Sequence, residues 1–313
     1  MKLSIISTMY RSEAFVAEFC RRITPMAQAF AGADYEILLV DDGSPDASLI
    51  QAKTLQRSDP RIRIVELARN FGHHPAIMAG LEHSCGDFIF LMDCDLEEQP
   101  EWLALFVAAM AESDADVVFG AQAQRAGGGA SKHLGGFFWR AINWYSSVRI
   151  PTNPMTCRLM KRAYVDALLR VEDRVLFLAG TFAWTGFVQK PLALNKSQRP
   201  RNHSSYSLPR KLLQVADSFS SFSIAPLIWV FLFGLLVWSG SIVYGGYVIL
   251  QRIIHPDSIQ TGFTSLAASI WFLGGSIILI LGVIGLYISK LFQEVKRRPL
   301  YIVRNFHQDG EDE

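Results

Sequence analysis

Asp93-Cys94-Asp95 places two carboxylates one residue apart, directly after the apolar run Phe88-Ile89-Phe90-Leu91-Met92. A short run rich in aromatic and β-branched residues reads as a buried strand. Acids at its C-terminal end stand where open α/β sheets bind ligands. So close together they repel unless a cation lies between them. A hard divalent ion that shares its remaining positions with substrate phosphates meets that need. The competing reading of an isolated Asp-x-Asp is a solvated corner between strand and loop. A second acidic strand end, Asp41-Asp42-Gly43-Ser44 after Tyr35–Val40, weighs against it. A carboxylate there can accept hydrogen bonds from a base N–H or from ribose hydroxyls, although D-D-G-S alone is an ordinary turn.

The chain has neither a G-x-G-x-x-G nor a G-K-[ST] phosphate loop, which argues against dehydrogenases and P-loop NTPases. Phosphate charge must then be met by a metal and by basic side chains. Arg69-Asn70-Phe71-Gly72-His73-His74 offers such groups after the run Ile62–Leu67. Zinc is disfavoured here, because adjacent histidines point in different directions and no third ligand has metal spacing. A solvated loop and a histidine near phosphate are the readings left.

The elements that position these groups alternate. Strands are expected at Leu3–Ser7, Tyr35–Val40, Ile62–Leu67, Phe88–Met92 and Asp116–Gly120, with helices near Ser12–Phe30, after Pro45, at Pro75–Ser84 and at Pro100–Ala111. Strands alternating with helices predict an α/β fold, a mostly parallel sheet with helices on both faces. The remaining chain differs in character. Ile224–Leu250 and Phe263–Ser289 contain no charged residue, and each exceeds the roughly 20 residues that cross a bilayer as a helix. Arg210 and Lys211 precede the first, Lys290, Lys296, Arg297, Arg298 and Arg304 follow the second, and only Arg252 lies between. The positive-inside rule then puts both termini and the N-terminal domain in the cytoplasm. Four cysteines without C-x-x-C spacing fit free thiols in a reducing compartment. A net charge of +1 gives no sign of nucleic-acid binding. The expected divisions are a catalytic domain over 1–205, an amphipathic juxtamembrane segment over 206–223, membrane helices over 224–250 and 263–289, and a basic segment with an acidic tail over 290–313.

These motifs together resemble the family 2 GT-A glycosyltransferases, in particular the polyprenyl-phosphate glycosyltransferases such as dolichyl-phosphate mannose synthase and the bactoprenol glucosyltransferases. The resemblance runs over nearly the whole chain. It includes Tyr10 and Glu13 after the first strand, D-D-G-S, R-N-F-G, D-x-D-L followed by Pro100-Glu101, Arg158-Leu159-Met160, Gly186-Phe187, Ser204-Ser205-Tyr206 and Glu294-Val295-Lys296-Arg297-Arg298-Pro299-Leu300. It implies a Rossmann-like GT-A domain, interfacial helices and a two-helix transmembrane hairpin. It implies a nucleotide-diphosphate sugar, UDP-linked by preference, held by Thr8, Tyr10, Glu13, Asp41, Asp42 and Asn70. Mg²⁺ or Mn²⁺ would sit on Asp93, Asp95 and Glu97, the last replacing a usual Gln. Arg125 and Arg158 would join Asp93 and Asp95 in catalysis by meeting phosphate charge, and Arg199 and Arg201 would hold the acceptor phosphate. The resemblance also implies polyprenyl phosphate as acceptor, the bacterial inner membrane as location and a homo-oligomeric protein.

This chain departs from the family pattern at Thr8 (usually Pro), Arg11 (usually Asn), Gln122 (usually Arg) and Thr156, where an acid normally stands two residues before Arg-Leu. A phosphate acceptor tolerates the last change, since a phosphate monoester with a second pKa of roughly 6 is largely ionised at neutral pH and has no proton to surrender. Two further surfaces suggest the bilayer. Leu208, Leu212, Val215, Phe219 and Phe222 recur at helical spacing, and Phe137, Phe138, Trp139, Trp144 and Tyr145 cluster around Arg140; packing on the catalytic domain is the alternative for both. Transfer onto a sugar hydroxyl of a lipid-linked oligosaccharide, and a catalytically silent membrane scaffold, are the rival functions.

Overall fold

The computed structural model of the 313-residue chain describes residues 2–122, 151, 154–173, 178–195, separate positions between 230 and 254, and 263–308. The chain divides into two compact units, one of residues 1–143, 148–207 and 298–313 and one of residues 144–147 and 208–297.

The first unit is built on one eight-stranded sheet in the order β7-β5-β6-β4-β1-β2-β3-β8. Its strands are β1 (Leu3–Met9), β2 (Tyr35–Asp41), β3 (Ile62–Leu67), β4 (Phe88–Leu91), β5 (Val117–Gln122), β6 (Pro154–Lys161), β7 (Gln189–Leu194) and β8 (Val303–His307). The four central strands β4-β1-β2-β3 run parallel, while β6 and β8 are antiparallel to their neighbours. Successive side chains of a strand face opposite sides, and here both sides are covered. Leu3, Ile5, Ile37 and Leu39 join one apolar cluster with Val16, Phe19 and Ile23 of α1 (Val16–Ala31) and Phe106 of α4 (Leu103–Ala111). Ile6, Leu38 and Val40 join the other, with Ile77 and Leu81 of α3 (His73–His83) and Tyr164 and Leu168 of α5 (Arg162–Leu169). Such two-sided burial is why these strands read as unbroken apolar runs. Helix α2 (Ser48–Ser58) lies on the first face through Ala52, and α6 (Leu178–Trp184) on the second through Phe182.

The five expected strands are present with ends shifted by at most two residues, and their intervening helices are present with starts shifted by up to four. Within the expected basic segment and acidic tail over 290–313, Val303–His307 form β8, which pairs antiparallel with β3 and is tied beyond the ladder by Ala68 N–H donating to the Ile302 carbonyl at 2.9 Å.

In the second unit, α7 (Phe263–Lys296) is a 34-residue helix, about 50 Å long at 1.5 Å per residue. Its segment Phe272–Lys296 contains an 18-residue window with a mean hydropathy of 2.2 and, among the described residues, is the one stretch of helix long and apolar enough to cross a bilayer. Leu266, Ile270, Phe272, Ile277, Leu281 and Ile288 are exposed, the mark of a helix whose apolar surface has no protein core to enter. The first expected span, 224–250, and the juxtamembrane segment 206–223 fall mostly or wholly outside the described residues, so the hairpin rests on sequence.

Candidate active site

Parallel strands deliver their C-terminal ends to one edge of the sheet, and the acids gather there. Met9 pairs with Asp41 and Asp41 with Glu66, while Ile6 pairs with Leu91, two residues before Asp93. Antiparallel β6 begins at the same edge. Arg158 pairs with Leu91, so Thr156 and Asp93 lie two residues beyond that pair in the same direction.

Asp41 and Asp42 are buried, and burial pushes both carboxyls above the usual range. Their ionised forms are held by backbone donors. Asp42 accepts the N–H groups of Phe71 at 2.7 Å and Gly72 at 3.0 Å, and Asp41 accepts the Ser44 N–H at 3.3 Å. Hydrogen bonds to a charged acceptor contribute roughly 1.5–3 kcal/mol each, so Asp42 staples the 69–72 loop to the end of β2. Sequence reasoning placed Asp42 near the nucleoside and missed this, because its partners are main-chain groups about thirty residues away. Glu13 is likewise engaged with backbone: its Oε2 accepts the Ala47 N–H at 3.1 Å just before α2. Tyr10 and Asn70 are exposed at the same edge, and Thr8 Oγ1 lies 3.2 Å from His73 Nδ1.

Asp93, Asp95 and Glu97 are all partly exposed on a tight turn in which Leu96 takes φ +60 and the Glu97 N–H donates to Asp95 Oδ1 at 3.1 Å. Beneath them Glu98 is fully buried, with its Oε2 3.4 Å from the Asp93 N–H. Cys94 turns inward, where burial raises its thiol to about 12 and its Sγ lies 3.2 Å from the Thr8 carbonyl. Among the described residues no three His, Cys, Asp or Glu side chains form a ready metal cage. Partly exposed hard oxygen donors without a cage suit Mg²⁺ or Mn²⁺, which take much of their coordination from water and substrate phosphates; they do not suit a structural zinc.

Arg158 sits differently from a surface phosphate ligand. It is buried, its Nε and Nη2 donate to the Thr156 and Met155 carbonyls at 3.1 and 3.0 Å, and its guanidinium stacks on Phe182 at 3.4 Å. Burial draws its pKa below the ordinary arginine range. It thus braces the start of β6 beside the acidic edge. Arg125, Arg199 and Arg201, together with the aromatic cluster around Arg140, lie outside the described residues.

Residues 4–169, from β1 to the end of α5, match the description "Glycosyl transferase family 2". The chain belongs to that family. This span carries every acid of the edge described above. Relatives extend the likeness beyond it. A Mycobacterium tuberculosis protein described as "Putative glycosyltransferases" is 42% identical over 98% of this chain and 89% of its own length. The SfII prophage-derived bactoprenol glucosyl transferase of Shigella flexneri is 30% identical over 98% of this chain and 99% of its own. Among solved structures, glucosyl-3-phosphoglycerate synthase from M. tuberculosis matches with a TM-score of 0.48 at 16% identity, over 70% of this chain and 78% of that one, a likeness too remote to bear on the site. As a family 2 member with glycosyltransferase relatives over its full length, the chain is a glycosyltransferase.

Proposed function

We propose that this glycosyltransferase moves a sugar from a nucleotide-diphosphate donor, UDP-linked by preference, to polyprenyl phosphate at the cytoplasmic face of the bacterial inner membrane, with inversion at the anomeric carbon. The observation that carries the proposal is the acid-lined C-terminal edge of the sheet, in a chain aligned from end to end with bactoprenol glucosyl transferases. Such a product would supply a lipid-linked sugar for cell-surface glycans.

In this reading the nucleoside lies against the ends of β1 and β2, where Thr8, Tyr10 and Asp41 stand, and against Asn70 in the loop after β3. Asp42 and Glu13 hold the loops that border it. Asp93 and Asp95, with Glu97 beside them, hold a divalent ion, which when bound neutralises charge on the diphosphate leaving group. A phosphate oxygen of the lipid attacks the anomeric carbon. The bond to the donor diphosphate breaks, and the nucleoside diphosphate departs with the electron pair. An α-linked donor therefore gives a β-linked product. No proton is removed from an ionised phosphate acceptor, so Thr156 in place of an acid is compatible with turnover. Arg125, Arg199 and Arg201 are assigned to phosphate charge, and Arg158 to bracing β6. The sheet domain and both termini are cytoplasmic, consistent with the basic residues around Phe263–Ser289.

Asp95 is partly exposed, so Asp95→Ala is expected to change thermal unfolding little while lowering turnover by about 10³-fold, the scale of losing a main electrostatic group. Activity within about tenfold of wild type contradicts the assignment.

A further inference from the structure

His73 joins two parts of the site that sequence reasoning kept apart. It is the first residue of α3 and follows Gly72, whose N–H is held by Asp42. From there its ring reaches across the edge: Nδ1 lies 3.2 Å from Thr8 Oγ1 at the end of β1, and Nε2 lies 3.5 Å from Asp93 Oδ1 after β4. The imidazole is 42% exposed and the Asp93 side chain 22%, so both groups face the open edge of the sheet. A tautomer with the proton on Nε2 directs that N–H at the Asp93 carboxylate 3.5 Å away while Nδ1 accepts the Thr8 hydroxyl. The geometry points to His73 as a positioning residue for Asp93, fixing the orientation of that carboxylate toward the divalent ion.

Carboxylates that bind metals are themselves oriented by hydrogen-bonded neighbours, and losing such a neighbour typically costs about 10- to 100-fold in metal affinity. Orientation matters more where the chain supplies few ligands of its own, as here, with no ready cage of three among the described residues. The line of support is continuous: the buried Asp42 fixes the Gly72 N–H, the 69–72 loop then sets the start of α3, and His73 carries that constraint to Asp93. The inference rests on the reading that Asp93 and Asp95 hold the ion.

The test is binding of Mn²⁺ alone to the full-length protein in detergent at fixed pH, followed by the electron paramagnetic resonance signal of free Mn²⁺. His73→Ala is expected to weaken binding about 10- to 100-fold with unchanged thermal unfolding. His73→Gln, whose amide Nε2 can reach toward Asp93 as the imidazole Nε2 does, should recover most of that loss. Thr8→Val, which removes only the anchor on the far side of the ring, should weaken binding less than His73→Ala. Equal affinity of His73→Ala and wild type overturns the inference. So does a His73→Gln variant as weak as His73→Ala, because ring bulk rather than the polar contact with Asp93 would then be responsible. Wild type binding no better than Asp95→Ala would refute the metal reading itself, and the inference with it.

Discussion

Gly43 sits at φ +63 in the turn after β2, and a Cβ there would stand 2.6 Å from both the Arg69 carbonyl carbon and the Asn70 nitrogen. Two demands therefore coincide at one position: a left-handed backbone, which costs other residues roughly 1–2 kcal/mol, and main-chain contact with the next loop. The glycine lets the D-D-G-S turn lie directly on the 69–72 loop that Asp42 staples. Gly43→Ala should force that loop away from β2 and weaken nucleotide binding. A displacement costing about 1.4 kcal/mol of binding is tenfold in dissociation constant, and calorimetric titration with UDP on wild type and variant reads it. Unchanged affinity would mean that the 69–72 loop does not contact the donor.

At the opposite edge of the sheet a buried charge organises the strand starts. Glu36 of β2 accepts from Ser4 Oγ and Arg63 Nη1, each at 2.5 Å, and from the Cys85 N–H at 2.9 Å. Burial by itself would raise its pKa, but these donors outweigh it and the carboxyl stays below the ordinary value. A carboxylate depressed in the folded state stabilises above its unfolded pKa, about 4.3, and loses that contribution as pH falls through the folded value. Glu36→Gln leaves Arg63 without its charged partner and should cost about 3 kcal/mol near neutral pH. The gap from wild type should close below pH 4, as followed by denaturant unfolding at several pH values. A gap that persists undiminished in acid would show that packing, not charge, is responsible.

The first five strands were legible because each is a short apolar run ending in a turn or an acid. Strands β6 to β8 were not. Pro154–Lys161 mixes polar and apolar residues, and Val303-Arg304-Asn305-Phe306-His307 shows the alternation of an edge strand only once its distant partner β3 is known. The same limit applied at the site. Acid pairs at strand ends were visible in the sequence, whereas the Asp42 staple and the His73 bridge depend on contacts to residues about 20 to 65 positions away.

Over the whole molecule, β8 constrains topology. The chain leaves the sheet after β7 and rejoins it at β8 with α7 between. A sheet that stays on one side of a membrane requires an even number of crossings in that interval. If α7 crosses, the stretch before it must cross as well, which the uncharged run Ile224–Leu250 is suited to do. A cysteine introduced by Ser258→Cys should then react with a membrane-impermeant maleimide added outside intact spheroplasts, while Cys85, exposed on the sheet unit, should react only after lysis. Labelling of Cys85 before lysis would reverse the proposed orientation.

The acceptor decides the central claim. Purified protein in detergent, supplied with Mg²⁺ and a panel of labelled nucleotide sugars, is given undecaprenyl phosphate, undecaprenol or a preformed lipid-linked glycan, and lipid-soluble label is measured. Transfer is expected from one donor to undecaprenyl phosphate alone, absent in Asp95→Ala and without any glycan present. Transfer that requires the preformed glycan, with none to undecaprenyl phosphate, would contradict it.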